Sequence, residues 1–160
     1  MEYNIRPMAE KDITQVQRVA ETSWHTTYKG LIPQAVQDHF LTEAYSAKML
    51  QRRMKFSYIL VVEVDNQVIG FVNYSPVTEG KVELGAIYLL PDYQGKGIGT
   101  ALLARGIEMF PEAKVIYINV ERDNEIAKPF YYAKGFKEVE VFNEDFDGHQ
   151  LQTIRMALNL

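Results

Sequence analysis

The sequence predicts an α/β protein whose mixed, mostly antiparallel sheet contains a central βαβ unit. Three segments rich in strand-forming residues follow one another across short turns, at 57–64, 67–77 and 81–90. Each should therefore run antiparallel to the next. A helical segment then separates the third of them from the strand-like run 114–120, which predicts a parallel crossover. Together these patterns predict the element order βααβββαβαββ.

The N-terminal part of the chain predicts one strand followed by helices. Residues 2–7 alternate like a short strand that stops at Pro7. Helical spacing of apolar residues predicts a helix over 11–24. Its inner face would carry Ile13, Val16, Val19 and Ala20. A second helical stretch, in two pieces, is expected over 33–53.

The C-terminal part predicts the rest of the βαβ unit and two more strands. A helix should follow residue 97, because one helical face would carry Gly99, Leu103, Gly106, Ile107 and Phe110. Another helix is expected over 124–134. It contains Pro129 and should therefore be kinked or start late. The last two strands are expected over 136–142 and 151–158.

Length and composition predict one domain over 1–160, with 47% apolar and 24% charged residues. The net charge of −4 disfavours nucleic acid as a partner. The chain has no cysteine, and we find neither a signal peptide nor an apolar stretch long enough for a bilayer. We therefore expect a cytoplasmic monomer or homodimer with no membrane association. His25, His39 and His149 show no metal-ligand spacing, so no metal is expected.

A glycine-rich loop, QGKGIGT over 94–100, lies between a strand-like run and a helical one. Glycines let a ligand approach the main chain closely, and free N–H groups at a helix start favour an anion. A P-loop requires Lys and then Ser or Thr after the last glycine, which this loop lacks. A dinucleotide-binding fingerprint requires Gly or Ala where Thr100 stands, and about 60 residues are too few for its sheet. A nucleotide-binding oxidoreductase is therefore disfavoured.

Two motifs resemble the GNAT N-acetyltransferase superfamily over nearly the whole chain. The first is the family's acetyl-CoA loop, [QR]xxGxG/A, which appears here as QGKGIG over 94–99 with IYLLP before it. The second is NEIAKPFYYAKGF over 124–136, which matches the family's pattern of Asn, Ala, Phe-Tyr and Gly-Phe. The resemblance implies the GNAT fold and acetyl transfer from acetyl-CoA to a primary amine, with acetyl-CoA as cosubstrate.

The resemblance also implies residue roles. A backbone N–H near Leu89 would face the thioester carbonyl, and Tyr131 takes the general-acid position. Tyr132 is its rival, because one helix step rotates a side chain by ~100° and only one of the two can face the cosubstrate. The expected cofactor-binding residues are Ile87, Tyr88, Leu89, Gln94, Gly95, Lys96, Gly97, Ile98, Gly99, Thr100, Asn124 and Tyr131.

Several residues have two possible roles. Glu83 is the candidate general base, because strand alternation would place it on one face with Ile87 and Leu89. Asn124 could bind the cofactor or cap a helix. Trp24 is expected to pack in the interior, whereas Tyr28 could line the acceptor pocket.

An acidic run covers 138–147, and the resemblance implies that it lies near the acceptor side of the sheet. Val139, Val141 and Phe142 are expected to face inward, with Glu144, Asp145 and Asp147 in a connection between the last two strands. Carboxylates there would attract a cation, so a polyamine or another small cationic amine is the expected acceptor. A merely solvated hairpin, a protein N-acetyltransferase and a non-catalytic acyl-CoA-binding domain are the alternatives.

Overall fold

A computed structural model describes residues 1–160 as seven strands and five α-helices. The strands are β1 (Asn4–Pro7), β2 (Tyr58–Val64), β3 (Gln67–Tyr74), β4 (Lys81–Leu89), β5 (Val115–Glu121), β6 (Lys137–Phe146) and β7 (His149–Asn159). The helices are α1 (Ile13–Tyr28), α2 (Gln34–Ala44), α3 (Ala47–Phe56), α4 (Ile98–Met109) and α5 (Ala127–Ala133). No helix combines the length and hydropathy that a membrane span requires.

All seven strands form one sheet in the order β1-β2-β3-β4-β5-β7-β6. Only β4 and β5 are parallel, and every other neighbouring pair is antiparallel. The mixed, mostly antiparallel sheet with one βαβ unit is therefore confirmed. One apolar core fills the face covered by α4 and α5, and a second lies under α1, α2 and α3.

The helices follow the predicted pattern, with two local features. The stretch over 33–53 is two helices, because Ser46 caps a new one by accepting the backbone N–H of Met49 at 3.1 Å. Helix α5 starts at Ala127, which leaves Pro129 in its first turn. A proline there removes no helical hydrogen bond.

Strands β4 and β5 diverge soon after they meet. Their pairing covers only 81–83 of β4 and 115–117 of β5. Beyond this point β4 follows β3, and a bulge at Gly85 shifts the register, since Ala86 opposes Asn73 but Leu84 opposes Tyr74. The divergence opens a cleft in the middle of the sheet.

The expected inward orientation of Val139 and Val141 is wrong, because their residues are 56% and 51% exposed. β6 is an edge strand with a register shift at Val139, and Val139 and Val141 belong to neither apolar core. β6 also continues to Phe146, which leaves only a tight turn at 147–148 as the connection. Phe146 packs against Trp24 and Phe40, with ring centroids 5.6 and 5.0 Å away.

Candidate active site

Two cavities meet in the cleft between β4 and β5. The outer one, of about 460 Å³, extends past the glycine loop, and the inner one, of about 110 Å³, reaches α1. The residues that line both cavities are Ile87, Leu89, Gln94, Ile126, Ala127 and Tyr131. A ligand could therefore pass from the loop to the inner cavity along β4.

The outer cavity has an anion-binding wall at the start of α4. Gly95 and Gly97 have φ of 72° and 83°, and a Cβ atom added to either would meet no protein atom within 4 Å. The first N–H groups of a helix have no partner within it, and the helix dipole favours a negative charge there. This open, glycine-lined wall fits the diphosphate of acetyl-CoA.

The main chain of β4 offers hydrogen-bond donors to the cleft. The N–H of Leu90 donates to the carbonyl of Ile69 at 2.9 Å. Hydrogen-bonded pairs alternate along β3 and β4, so Tyr88 and Phe71 form the next such pair. In an antiparallel ladder the residues between them point the other way. The N–H groups of Ile87 and Leu89 therefore face the side from which β5 has diverged.

The strand is held in place by side chains near Leu89. Gln94 Nε2 donates to the Leu89 carbonyl at 3.3 Å, and Ser23 Oγ donates to the same oxygen at 3.4 Å. Gln94 thereby ties the glycine loop to β4. Ser23 ties β4 to α1, so the Leu89 carbonyl is held from two sides.

Tyr131 faces the cleft and Tyr132 does not. Tyr131 is 7% exposed and lines both cavities, whereas Tyr132 is 48% exposed on the outer side of α5. Burial raises the pKa of Tyr131 above its ordinary value, and the charges of Tyr28 and Tyr74 contribute less. The phenol is thus a protonated group at the junction of the two cavities.

Glu83 lies elsewhere, and the expectation that it shares a face with Ile87 and Leu89 is wrong. The bulge at Gly85 reverses the alternation, so Glu83 points to the opposite face of the sheet. Its carboxylate accepts a hydrogen bond from each terminal nitrogen of Arg155. Glu83 lines neither cavity. Its role as general base stays a prediction.

Asn124 combines a structural contact with a place in the inner cavity. Its side-chain carbonyl accepts the N–H groups of Ile126 and Ala127 at 3.2 and 3.0 Å, which starts α5. Its amide donates to the Tyr28 hydroxyl at 3.5 Å, and both residues line the inner cavity. Burial raises the pKa of Tyr28 to about 12.

The other residues expected to bind the cofactor divide into two groups. Gly99 and Thr100 line the outer cavity, while Ile98 is buried in the core and Lys96 lies outside the cleft. Tyr88 contributes to the inner wall, but its N–H points to β3. Trp24 packs as expected, with its indole N–H donating to the Tyr88 hydroxyl at 2.9 Å.

Sequence reasoning missed several residues of the cleft, including three with polar side chains. Ser23 and Thr27 of α1 line the inner cavity, and Lys134 lines the outer one. A signal for the first two existed, since they continue the buried stripe of Val16 and Ala20 at helical spacing. A hydroxyl pair on an otherwise apolar face indicates a polar cavity. Lys134 had no comparable signal.

Comparison with known proteins identifies this architecture. The sequence model described as the Acetyltransferase (GNAT) family matches residues 18–136. The chain belongs to the GNAT acetyltransferase family. A spermidine N(1)-acetyltransferase of Thermoplasma acidophilum is 29% identical, over 91% of this chain and 95% of its own length. The uncharacterised N-acetyltransferase YuaI of Bacillus subtilis is 28% identical, over 96% of this chain and 91% of its own.

A solved structure supports the same assignment for this GNAT chain. The PaiA N-acetyltransferase of Thermoplasma acidophilum, solved in complex with coenzyme A, superposes with a TM-score of 0.86 at 27% identity, with all of both chains covered. The resemblance to the GNAT superfamily is therefore confirmed, together with the fold. The protein is an N-acetyltransferase that uses acetyl-CoA as its cosubstrate.

Proposed function

We propose that this enzyme acetylates a polyamine or another small amine that carries a second positive charge. The observation that carries the proposal is a pair of carboxylates near Tyr28. The charges of Glu121 and Glu144 both act to raise the pKa of the Tyr28 hydroxyl, after the larger effect of burial. Tyr28 lines the inner cavity and the two carboxylates do not, so they would attract a positively charged acceptor bound there without contacting it.

Neither carboxylate forms a salt bridge, although Arg122 and Lys128 lie near enough to Glu121 to lower its pKa slightly. Glu144 accepts the Thr153 hydroxyl at 2.9 Å, Glu121 accepts the Asp123 N–H at 2.6 Å, and neither takes part in an ion pair. Burial raises the pKa of Glu121, which indicates a partly desolvated site where an ammonium would be stabilising. The spermidine acetyltransferase named among the relatives agrees with this acceptor class.

The chain supplies two groups for the transfer. The N–H of Leu89 would donate to the thioester oxygen as negative charge develops on it. The neutral acceptor nitrogen forms a bond to the acetyl carbon and releases a proton to solvent, and the C–S bond breaks. Tyr131 would donate its proton to the departing sulfur and regain one from solvent. This assignment extends the family chemistry to named positions in the cleft.

Steady-state kinetics with spermidine and hexylamine test the acceptor. We expect Glu144→Gln and Glu121→Gln each to raise KM for spermidine by about ten-fold. This factor corresponds to ~1.4 kcal/mol, which is the size of a lost interaction with a charged partner. KM for hexylamine should not change. Asp145→Asn is the matched control, because Asp145 lies next to Glu144 on β6 and already accepts the Gln150 amide at 3.0 Å.

Salt and peptide acceptors complete the test. Added salt should raise KM for spermidine in the unmodified enzyme, because exposed charges are screened over about 8 Å at physiological ionic strength. Equal KM values for both amines, insensitive to the two substitutions, would contradict the proposal. Acetylation of a peptide N-terminus in preference to either amine would favour the protein N-acetyltransferase alternative.

A further inference from the structure

The outer half of the cleft, beyond the residues shared with the inner cavity, has two walls. One wall is the start of α4, with Gly97, Gly99 and Thr100, and the other is the end of α5, with Phe130 and Lys134. Lys134 is the only charged residue that lines the outer cavity. Positive charge in this half of the cleft is therefore concentrated at one side chain.

The Lys134 ammonium has no carboxylate partner within the chain. It forms no ion pair, and it lies 5.7 Å from the centroid of the Phe130 ring. The side chain is partly buried, so bulk water does not fully surround it. An unpaired ammonium on the wall of a cleft is available to bind an anion. A cation is also favoured at the C-terminus of a helix, so an experiment must separate the two roles.

Acetyl-CoA carries two separate anionic groups. The wall at the start of α4 fits the diphosphate, and the thioester must lie at the inner end near Leu89 and Tyr131. The 3′-phosphate belongs to the ribose, beyond the diphosphate and away from the thioester. We propose that Lys134 binds this 3′-phosphate and makes the enzyme select acetyl-CoA over analogues that lack it. The proposal rests on the use of acetyl-CoA.

Binding of CoA and of 3′-dephospho-CoA, measured by calorimetry on the full chain, tests the role. The unmodified protein should bind CoA about ten-fold more tightly than 3′-dephospho-CoA, a ratio that corresponds to ~1.4 kcal/mol. Lys134→Gln should weaken CoA binding by that factor and leave binding of 3′-dephospho-CoA unchanged. Lys134→Arg should keep the preference, because a guanidinium also binds phosphate.

Lys96→Gln is the matched control, since Lys96 belongs to the glycine loop but lies outside the cleft. It should leave the preference intact. Equal weakening of both ligands by Lys134→Gln would overturn the proposal, because the charge would then act on the diphosphate or on the fold. An unchanged preference in Lys134→Gln would overturn it as well. Failure of the unmodified protein to bind CoA would instead refute the cosubstrate assignment.

Discussion

Two adjacent tyrosines of α5 have opposite environments although their side chains are identical. Tyr131 lies at the junction of the two cavities, and Tyr132 lies on the surface. A rotation of ~100° per residue is sufficient to separate them. The sequence could predict that only one would face the cleft, and the position of the following Gly-Phe pair indicated Tyr131.

Replacement of Tyr131 by Phe tests its role as an acid. We expect kcat to fall by about 10²-fold, the low end for general acid catalysis, because a thiol is itself acidic. Acetyl-CoA affinity should change little, since the proton is needed only as the sulfur departs. Tyr132→Phe is the control, and a larger loss in that variant would reverse the assignment.

The pH profile of kcat gives a second measurement on the same residue. The raised pKa of Tyr131 keeps the phenol protonated to a higher pH than an ordinary tyrosine. An acid is lost as pH rises through its pKa, so kcat of the unmodified enzyme should not decline up to about pH 10. A decline that begins near pH 8 would identify another group as the acid.

The role of the glycine loop in binding can be tested separately from the backbone strain that a substitution causes. Gly97 and Gly148 both have φ of 83°, and open space surrounds the position of a Cβ atom at each. Ala at either position should therefore cost a similar 1–2 kcal/mol of folding free energy. Only Gly97 lines the cleft. Gly97→Ala should weaken CoA binding in calorimetry, and Gly148→Ala should not. Equal CoA affinity in the two variants would remove the loop from the site.

Local patterns predicted the elements better than their orientation. The glycine loop, the inner face of α1 and the three hairpin-linked strands depend on residues close in sequence, and these were predicted. The face predicted for α4 was partly wrong, because Ile107 is exposed and Leu102 is buried. The face of Glu83 was not, because a bulge at Gly85 depends on how β4 pairs with β3. The exposure of Val139 has the same origin, since the sequence does not say which strand will be outermost.

At the scale of the whole molecule, the sheet consists of two halves with little contact between their strands. Four strands lie on one side of the cleft and three on the other, joined by pairing over 81–83 and 115–117. Arg155 of β7 reinforces this contact. It bonds Glu83 and Asn119 and stacks on the Tyr117 ring, 4.3 Å from its centroid. The closed end of the cleft is therefore fastened by side chains as well as by main chain.

The open end of the cleft has a consequence for solvent access to individual amides. Ile87 and Leu89 lie in the middle of a seven-stranded sheet, yet their N–H groups have no neighbouring strand. Their deuterium uptake should be fast in the free protein and slow when CoA is added, because its pantetheine arm would serve as the missing strand. The Tyr88 amide, bonded to β3, should exchange slowly in both states, as stable ladder amides do. Equally slow uptake at all three amides without CoA would mean that the sheet closes by itself.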